Sequence, residues 1–116
     1  MARLTTHILD TANGRPAAGV RIRLYAQAQP GTLLAEAVTD ANGRAACTPQ
    51  GAASLPSGVY DLVFSIGPYF TAQSQESGTP AFLDDVVLRF GMNAEETHYH
   101  IPLLVSPWSY TTYRGS

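Results

Sequence analysis

Turn signals recur along this chain at short, regular intervals. Asn13-Gly14, Pro30-Gly31, Asn42-Gly43, Pro56-Ser57-Gly58, Gly67-Pro68, Ser77-Gly78 and Gly91 divide its 116 residues into segments of mostly 5 to 9. Segments of that length between turn signals predict an all-β sandwich. Inside them the hydrophobic period is two: Val20, Ile22 and Leu24 alternate with Arg21 and Arg23, while Leu62, Phe64 and Ile66 share one face of theirs. Both patterns describe half-buried antiparallel strands.

Strands are expected at Leu4–Asp10, Val20–Ala28, Leu33–Thr39, Gly43–Cys47, Val59–Ile66, Asp85–Phe90, His98–Val105 and Ser109–Arg114, eight in all. Between Pro68 and Gln75, Tyr69, Phe70, Ala72 and Gln73 have the spacing of one or two helical turns, so one short helix is expected there. At 45% hydrophobic content the 116 residues fit a single domain, 1–116, around one core. The formal net charge is −2, and the 7 Lys and Arg residues include no run of three, so the electrostatic footprint of a nucleic-acid binder is missing. Cys47 is the single cysteine, which excludes an intrachain disulfide and a thiolate-built zinc or iron–sulfur site. No positively charged segment followed by an apolar stretch opens the sequence, and no run of about 18 apolar residues occurs. The expectation is a cytoplasmic protein with no membrane partner.

Four places carry chemistry. On the first strand, alternation puts Thr5, His7 and Leu9 on one face and Leu4, Thr6, Ile8 and Asp10 on the other. Neither face is cleanly apolar, which suits a strand whose surface meets a partner subunit, and His7 is the side chain best suited to move protons near neutral pH. A solvent-exposed strand histidine with no role is the plainer reading of His7 taken alone. Arg44 follows the hairpin signal Asn42-Gly43, which fixes it at the start of a strand. There it is either a solvated strand-end arginine or a planar donor fork for a carbonyl or anionic ring. His98, His100 and Pro102 share one face of their strand, with neighbours roughly 6.5–7 Å apart, and Tyr99, Ile101 and Leu103 share the other. Pro102 has no N–H, which predicts a sheet edge near an interface. His7, His98 and His100 together are also the ligand set of a three-histidine zinc centre. Finally, Tyr113, Arg114, Gly115 and Ser116 combine an aromatic, a guanidinium donor, a flexible residue and a hydroxyl directly after a strand.

Taken in order, His7-Ile8-Leu9-Asp10, Asn13-Gly14-Arg15-Pro16-Ala17, Asp40-Ala41-Asn42-Gly43-Arg44, Gly58-Val59-Tyr60, Tyr69-Phe70, the block from His98 to Leu104 and the ending Tyr113-Arg114-Gly115-Ser116 resemble the transthyretin-related 5-hydroxyisourate hydrolases. The resemblance spans nearly the whole chain. It implies an eight-stranded two-sheet transthyretin-like sandwich with one short helix, assembled as a homotetramer, a dimer of dimers with sites at the dimer–dimer interface. It also implies a cofactor-free, metal-free hydrolase that opens 5-hydroxyisourate, a small molecule of urate degradation, to a carboxylated ureidoimidazoline. Carried over residue by residue, His7, Arg44, His100 and Ser116 would be catalytic, and His98, Tyr113, Arg114 and Gly115 would bind substrate. Hydrolysis needs a base for water, a donor for the oxyanion and an acid for the leaving ring nitrogen. On this reading one of His7 and His100 is the base and Arg44 steadies the developing negative charge. The hydroxyl of Ser116 and a terminal carboxylate on it belong to the site, and Arg114 anchors the tail more than it touches substrate. Two other readings are a zinc hydrolase on His7, His98 and His100, and a non-catalytic carrier of an aromatic ligand in the same channel. The polar lining disfavours the carrier.

Overall fold

A computed structural model describes residues 2–49, 55–75 and 78–115. Among these the chain forms nine strands and one helix: β1 Arg3–Asp10, β2 Arg15–Pro16, β3 Arg21–Ala26, β4 Leu33–Val38, β5 Arg44–Ala46, β6 Gly58–Ser65, α1 Ile66–Ala72, β7 Asp85–Met92, β8 His98–Val105 and β9 Tyr110–Thr112. They build two packed sheets. One runs β4-β3-β6-β7 and is antiparallel throughout; the other runs β2-β1-β8-β9, with β5 also paired to β1. Each of the eight expected strands is present. The two-residue β2, which pairs with the end of β1 at Leu9 and Asp10, has no hydrophobic alternation to announce it.

The alternation seen in the sequence is realised as burial. Val20, Ile22 and Leu24 turn inward from the four-stranded sheet together with Leu62 and Phe64, and all are at most 1% exposed. Facing them, β1 contributes Leu4 and Ile8, and β8 contributes Tyr99, Ile101, Leu103 and Val105. This core removes large apolar side chains from water at about 1.5–3 kcal/mol each. The mixed inner face of β1 is fully buried because its polar members are satisfied: Thr6 donates to the Ile101 carbonyl at 2.5 Å, and Asp10 accepts from the Tyr69 hydroxyl at 2.7 Å.

Three local expectations are corrected. The helix begins at Ile66, two residues before Pro68, because the Asp84 carbonyl accepts from the N–H groups of Ile66 and Gly67 at 3.0 and 2.8 Å, and Pro68 fits the first turn. The Asn42-Gly43 turn does not join a hairpin: β4 pairs with β3 and β5 with β1, so the turn carries the chain from one sheet to the other. The strand of Pro102 is internal instead of an edge, flanked by β1 and β9. Its β9 ladder covers only Leu103 to Val105 and resumes as one bridge at His100 and Gly115, so Pro102 sits in the gap where no donor is required. There the Thr112 hydroxyl donates to the Pro102 carbonyl at 2.8 Å. No helix among the described residues is long and apolar enough to cross a membrane.

Candidate active site

The site grows out of two strand pairings with β1. On one edge, β8 runs parallel to it with Thr5 opposite His100 and His7 opposite Pro102; on the other, β5 runs antiparallel with Thr5 opposite Ala46 and His7 opposite Arg44. The inner faces of β1 and β8 are committed to the core, so Thr5, His7, His98 and His100 line the outer face of the sheet, with Arg44 alongside. An open pocket of about 400 Å³ lies between Thr5, Asp40, Arg44, Ala46, His98 and His100.

Arg44 is placed by its turn. Gly43 has φ +75°, and a side chain there would start 2.4 Å from the Ile8 carbonyl oxygen, so glycine is demanded by both backbone and space. Asp40 closes the turn by accepting from the N–H groups of Asn42 at 2.8 Å and Arg44 at 3.1 Å. The N–H of Arg44, then that of Asn42, hold the Asp40 carboxyl below the usual aspartate range, so the pocket rim keeps its negative charge at neutral pH.

The two imidazoles of β8 meet at one hydroxyl. Thr5 Oγ1 lies 2.7 Å from His98 Nε2 and 2.8 Å from His100 Nδ1, with the ring centroids 6.2 Å apart. In the sequence alone, the only signal for Thr5 is its place two residues before His7 on the same strand face. His98 is exposed and His100 half-buried. Burial first, then the positive charge of Arg44, then His98 and His7, lower the pKa of His100 below the usual histidine value. Each of these effects favours the neutral ring, the form able to accept a proton.

The tail reaches the same ring from the other side. The N–H of Gly115 donates to the His100 carbonyl at 2.7 Å, and a side chain at Gly115 would start 3.0 Å from His100 Cδ2. Arg114 turns away: its guanidinium stacks over the Tyr99 ring at 4.1 Å and lies 3.8 Å from Glu96. Tyr113 and Arg114 border a second groove of about 270 Å³ with Leu88, Phe90, Tyr99 and Ile101. Of the residues expected in the site, Arg44, His98 and His100 line the pocket, His7 lies beside it on β1 opposite Arg44, and Gly115 sits against the His100 ring without lining the pocket. Tyr113 and Arg114 stand apart from it within the protomer, and Ser116 lies outside the described residues. No group of three or more His, Cys, Asp or Glu among the described residues is arranged to hold a metal ion.

Comparison with known proteins gives a single picture. The family model described as HIUase/Transthyretin family matches residues 4–115. The 5-hydroxyisourate hydrolase of Pseudomonas aeruginosa is 48% identical over 117 residues, covering 100% of this chain and 93% of that protein. Among solved structures, Klebsiella pneumoniae 5-hydroxyisourate hydrolase superposes with a TM-score of 0.85 at 38% identity, covering 100% of both chains. An (S)-allantoin synthase superposes with a TM-score of 0.87 at 42% identity over 99% of this chain, which spans 44% of that longer one.

Proposed function

This chain belongs to the HIUase/Transthyretin family, and from that premise we propose that it is a 5-hydroxyisourate hydrolase working by histidine-assisted attack of water in the pocket of Thr5, Arg44, His98 and His100. The observation that carries the mechanism is geometric: His100 shares one open pocket with Arg44, Thr5 and His98, where burial and the Arg44 charge lower its proton affinity. A base that is neutral at working pH is ready to take a proton from water as the oxygen bonds to the ring carbon. Arg44 presents its donor fork to the carbonyl oxygen as negative charge develops there, an arrangement whose loss elsewhere costs about 3 kcal/mol in barrier. His7, opposite Arg44 across the β1–β5 ladder, supplies a proton to the ring nitrogen as the carbon–nitrogen bond breaks. Ser116, next in sequence to Gly115, completes this machinery with its hydroxyl. Tyr113 and Arg114 enter as binding residues through assembly, since the groove they border is separate from the histidine pocket of their own protomer.

The assembly is part of the proposal: a homotetramer, a dimer of dimers in which outer sheet faces meet and close the pockets. Its support is that the pocket is open on one side in a single protomer and that Trp108, Tyr110 and Tyr113 stand 63%, 45% and 57% exposed. Cytoplasmic residence is the remaining element of this reading, supported by a lone buried thiol, Cys47, that requires no oxidising compartment. The deciding experiment generates 5-hydroxyisourate in situ with urate oxidase and follows its ultraviolet absorbance. Added protein should accelerate the decay in proportion to its concentration, and decay at the uncatalysed rate would refute the proposal. Light scattering of the eluting protein should give four times the chain mass.

A further inference from the structure

Thr5 has a place in the site that the hydrolase reading leaves unused. The flush parallel pairing of β1 with β8 puts Arg3 opposite His98 and Thr5 opposite His100, so the Thr5 hydroxyl falls between two imidazoles of the neighbouring strand. Both contacts, 2.7 Å to His98 Nε2 and 2.8 Å to His100 Nδ1, are of hydrogen-bond length. A threonine hydroxyl carries one hydrogen and can accept further bonds, whereas a neutral imidazole has one N–H and one bare nitrogen. The hydroxyl cannot donate to both rings, so at least one ring turns an N–H toward it.

The choice matters because it decides which nitrogen of His100 is free. If Thr5 donates to His100, Nδ1 is bare but occupied, Nε2 carries the hydrogen, and the ring has no free nitrogen for a proton from water. If His100 donates from Nδ1, Nε2 is bare. The surroundings favour the second arrangement. The charged groups around the pocket are His7 on β1, Arg44 on β5, His98 on β8 and Asp40 at the rim; Asp40 is engaged by the N–H groups of Asn42 and Arg44, and Arg44 lines the same pocket as His100. A guanidinium has donors only, so it attracts a bare nitrogen and repels an N–H. The Cδ2 edge of His100, adjacent to Nε2, faces Gly115, so the free nitrogen lies at the ring edge remote from Thr5.

We propose that Thr5 is a positioning residue that fixes the tautomer of His100, accepting its Nδ1–H and giving its own hydrogen to His98 Nε2, so that His100 Nε2 is held bare for the reaction. His98 then acts through Thr5 without touching the reacting atoms. The kinetic part rests on the hydrolase reading; the tautomer itself does not.

The test therefore has two readouts. Long-range proton–nitrogen correlation spectra of the free, nitrogen-15-labelled protein, recorded above the usual histidine pKa, should show His100 protonated at Nδ1 and bare at Nε2. Thr5→Ser should keep that pattern, and Thr5→Val, of the same shape without a hydrogen-bonding group, should populate the Nε2–H form. In the decay assay Thr5→Val should lower kcat at least about tenfold with KM changed less than about twofold, and Thr5→Ser should restore most of it. A His100 bare at Nδ1 in the unmodified protein overturns the proposal, and the spectra of that protein and the Ser variant decide this even where the Val variant does not fold. A Val variant with unchanged tautomer and unchanged kcat overturns it as well. Absence of hydrolysis by the unmodified protein refutes the hydrolase reading alone, because the spectra contain no substrate.

Discussion

A side chain at Gly115 would press on both His100 and Pro102. An alanine Cβ at this position would lie 3.0 Å from His100 Cδ2, 3.2 Å from Pro102 Cγ and 3.3 Å from the His100 carbonyl oxygen. Carbon atoms in favourable contact stand about 3.5–4.0 Å apart, so Gly115→Ala requires its neighbours to give by a few tenths of an ångström. Pro102 is buried and its ring cannot turn aside, while the backbone of β8 is held by its full-length ladder to β1. The displacement falls on the His100 ring and on the tail. Loosening the Gly115 bond to the His100 carbonyl costs about 0.5–1.5 kcal/mol of stability. The catalytic cost is larger, because a misplacement of about 1 Å in an active site is worth about a hundredfold, which scales to about four- to tenfold for a few tenths of an ångström. The expected result is a kcat lowered about four- to tenfold, with an unfolding free energy in urea lowered by no more than about 1.5 kcal/mol. Undiminished kcat would refute the steric argument. So would a parallel collapse of stability, which would make Gly115 a folding residue and not a spacer for the ring.

Three further outcomes are expected. His100→Ala should lower kcat by about 10²–10⁴-fold, the usual contribution of a general base, with thermal unfolding nearly unchanged because the ring is only half-buried; a loss below tenfold would move the base elsewhere. Arg44→Ala removes the strongest positive charge acting on His100, so the NMR titration midpoint of that ring should rise toward the ordinary histidine value, and an unmoved midpoint would contradict the electrostatic picture. For Asp10, burial pushes the carboxyl pKa up, but the Asn13 side chain, the Tyr69 hydroxyl and the N–H groups of Asn13 and Ala12 outweigh it, so the folded value lies below the unfolded one. The resulting stabilisation is complete above the unfolded pKa of about 3.9 and is lost as pH falls through the folded value, a slope that Asp10→Asn should flatten in urea titrations at acid pH.

The legible part of this structure is the part that hydrophobic period and turn chemistry determine. Val20, Ile22 and Leu24 against Arg21 and Arg23 are buried and exposed as their alternation requires, and Asn42-Gly43 places Arg44 at the first position of β5. What the sequence left open was pairing. The period of two says which residues share a face but not which strand lies alongside, so neither the crossing of β5 to β1 nor the parallel alignment of β1 with β8 could be read from it. Thr5 was missed for that reason: its role exists only once β8 sets His98 and His100 on either side of its hydroxyl. The inner face of β1 looked ambiguous for a related cause. Thr6 and Asp10 are polar in sequence and buried in the fold, because their partners, the Ile101 carbonyl and the Tyr69 hydroxyl, are 95 and 59 residues away.

The same pairing binds the chemistry of the outer face to the packing of the inner one. Between Thr5 and His7, Thr6 turns inward and its hydroxyl donates to the carbonyl of Ile101, the residue after His100. This buried bond and the Thr5 hydroxyl lie on opposite faces of one ladder and hold the same two strands in the same register. A slip by one residue would send Leu4 and Ile8 to solvent and would also take Thr5 away from both imidazoles. The core therefore resists, at several kcal/mol through its buried side chains, a movement that the outer hydrogen bonds alone could not prevent. Site geometry is in this way inherited from the hydrophobic core, and the tail at Gly115 needs only to supply the last few tenths of an ångström.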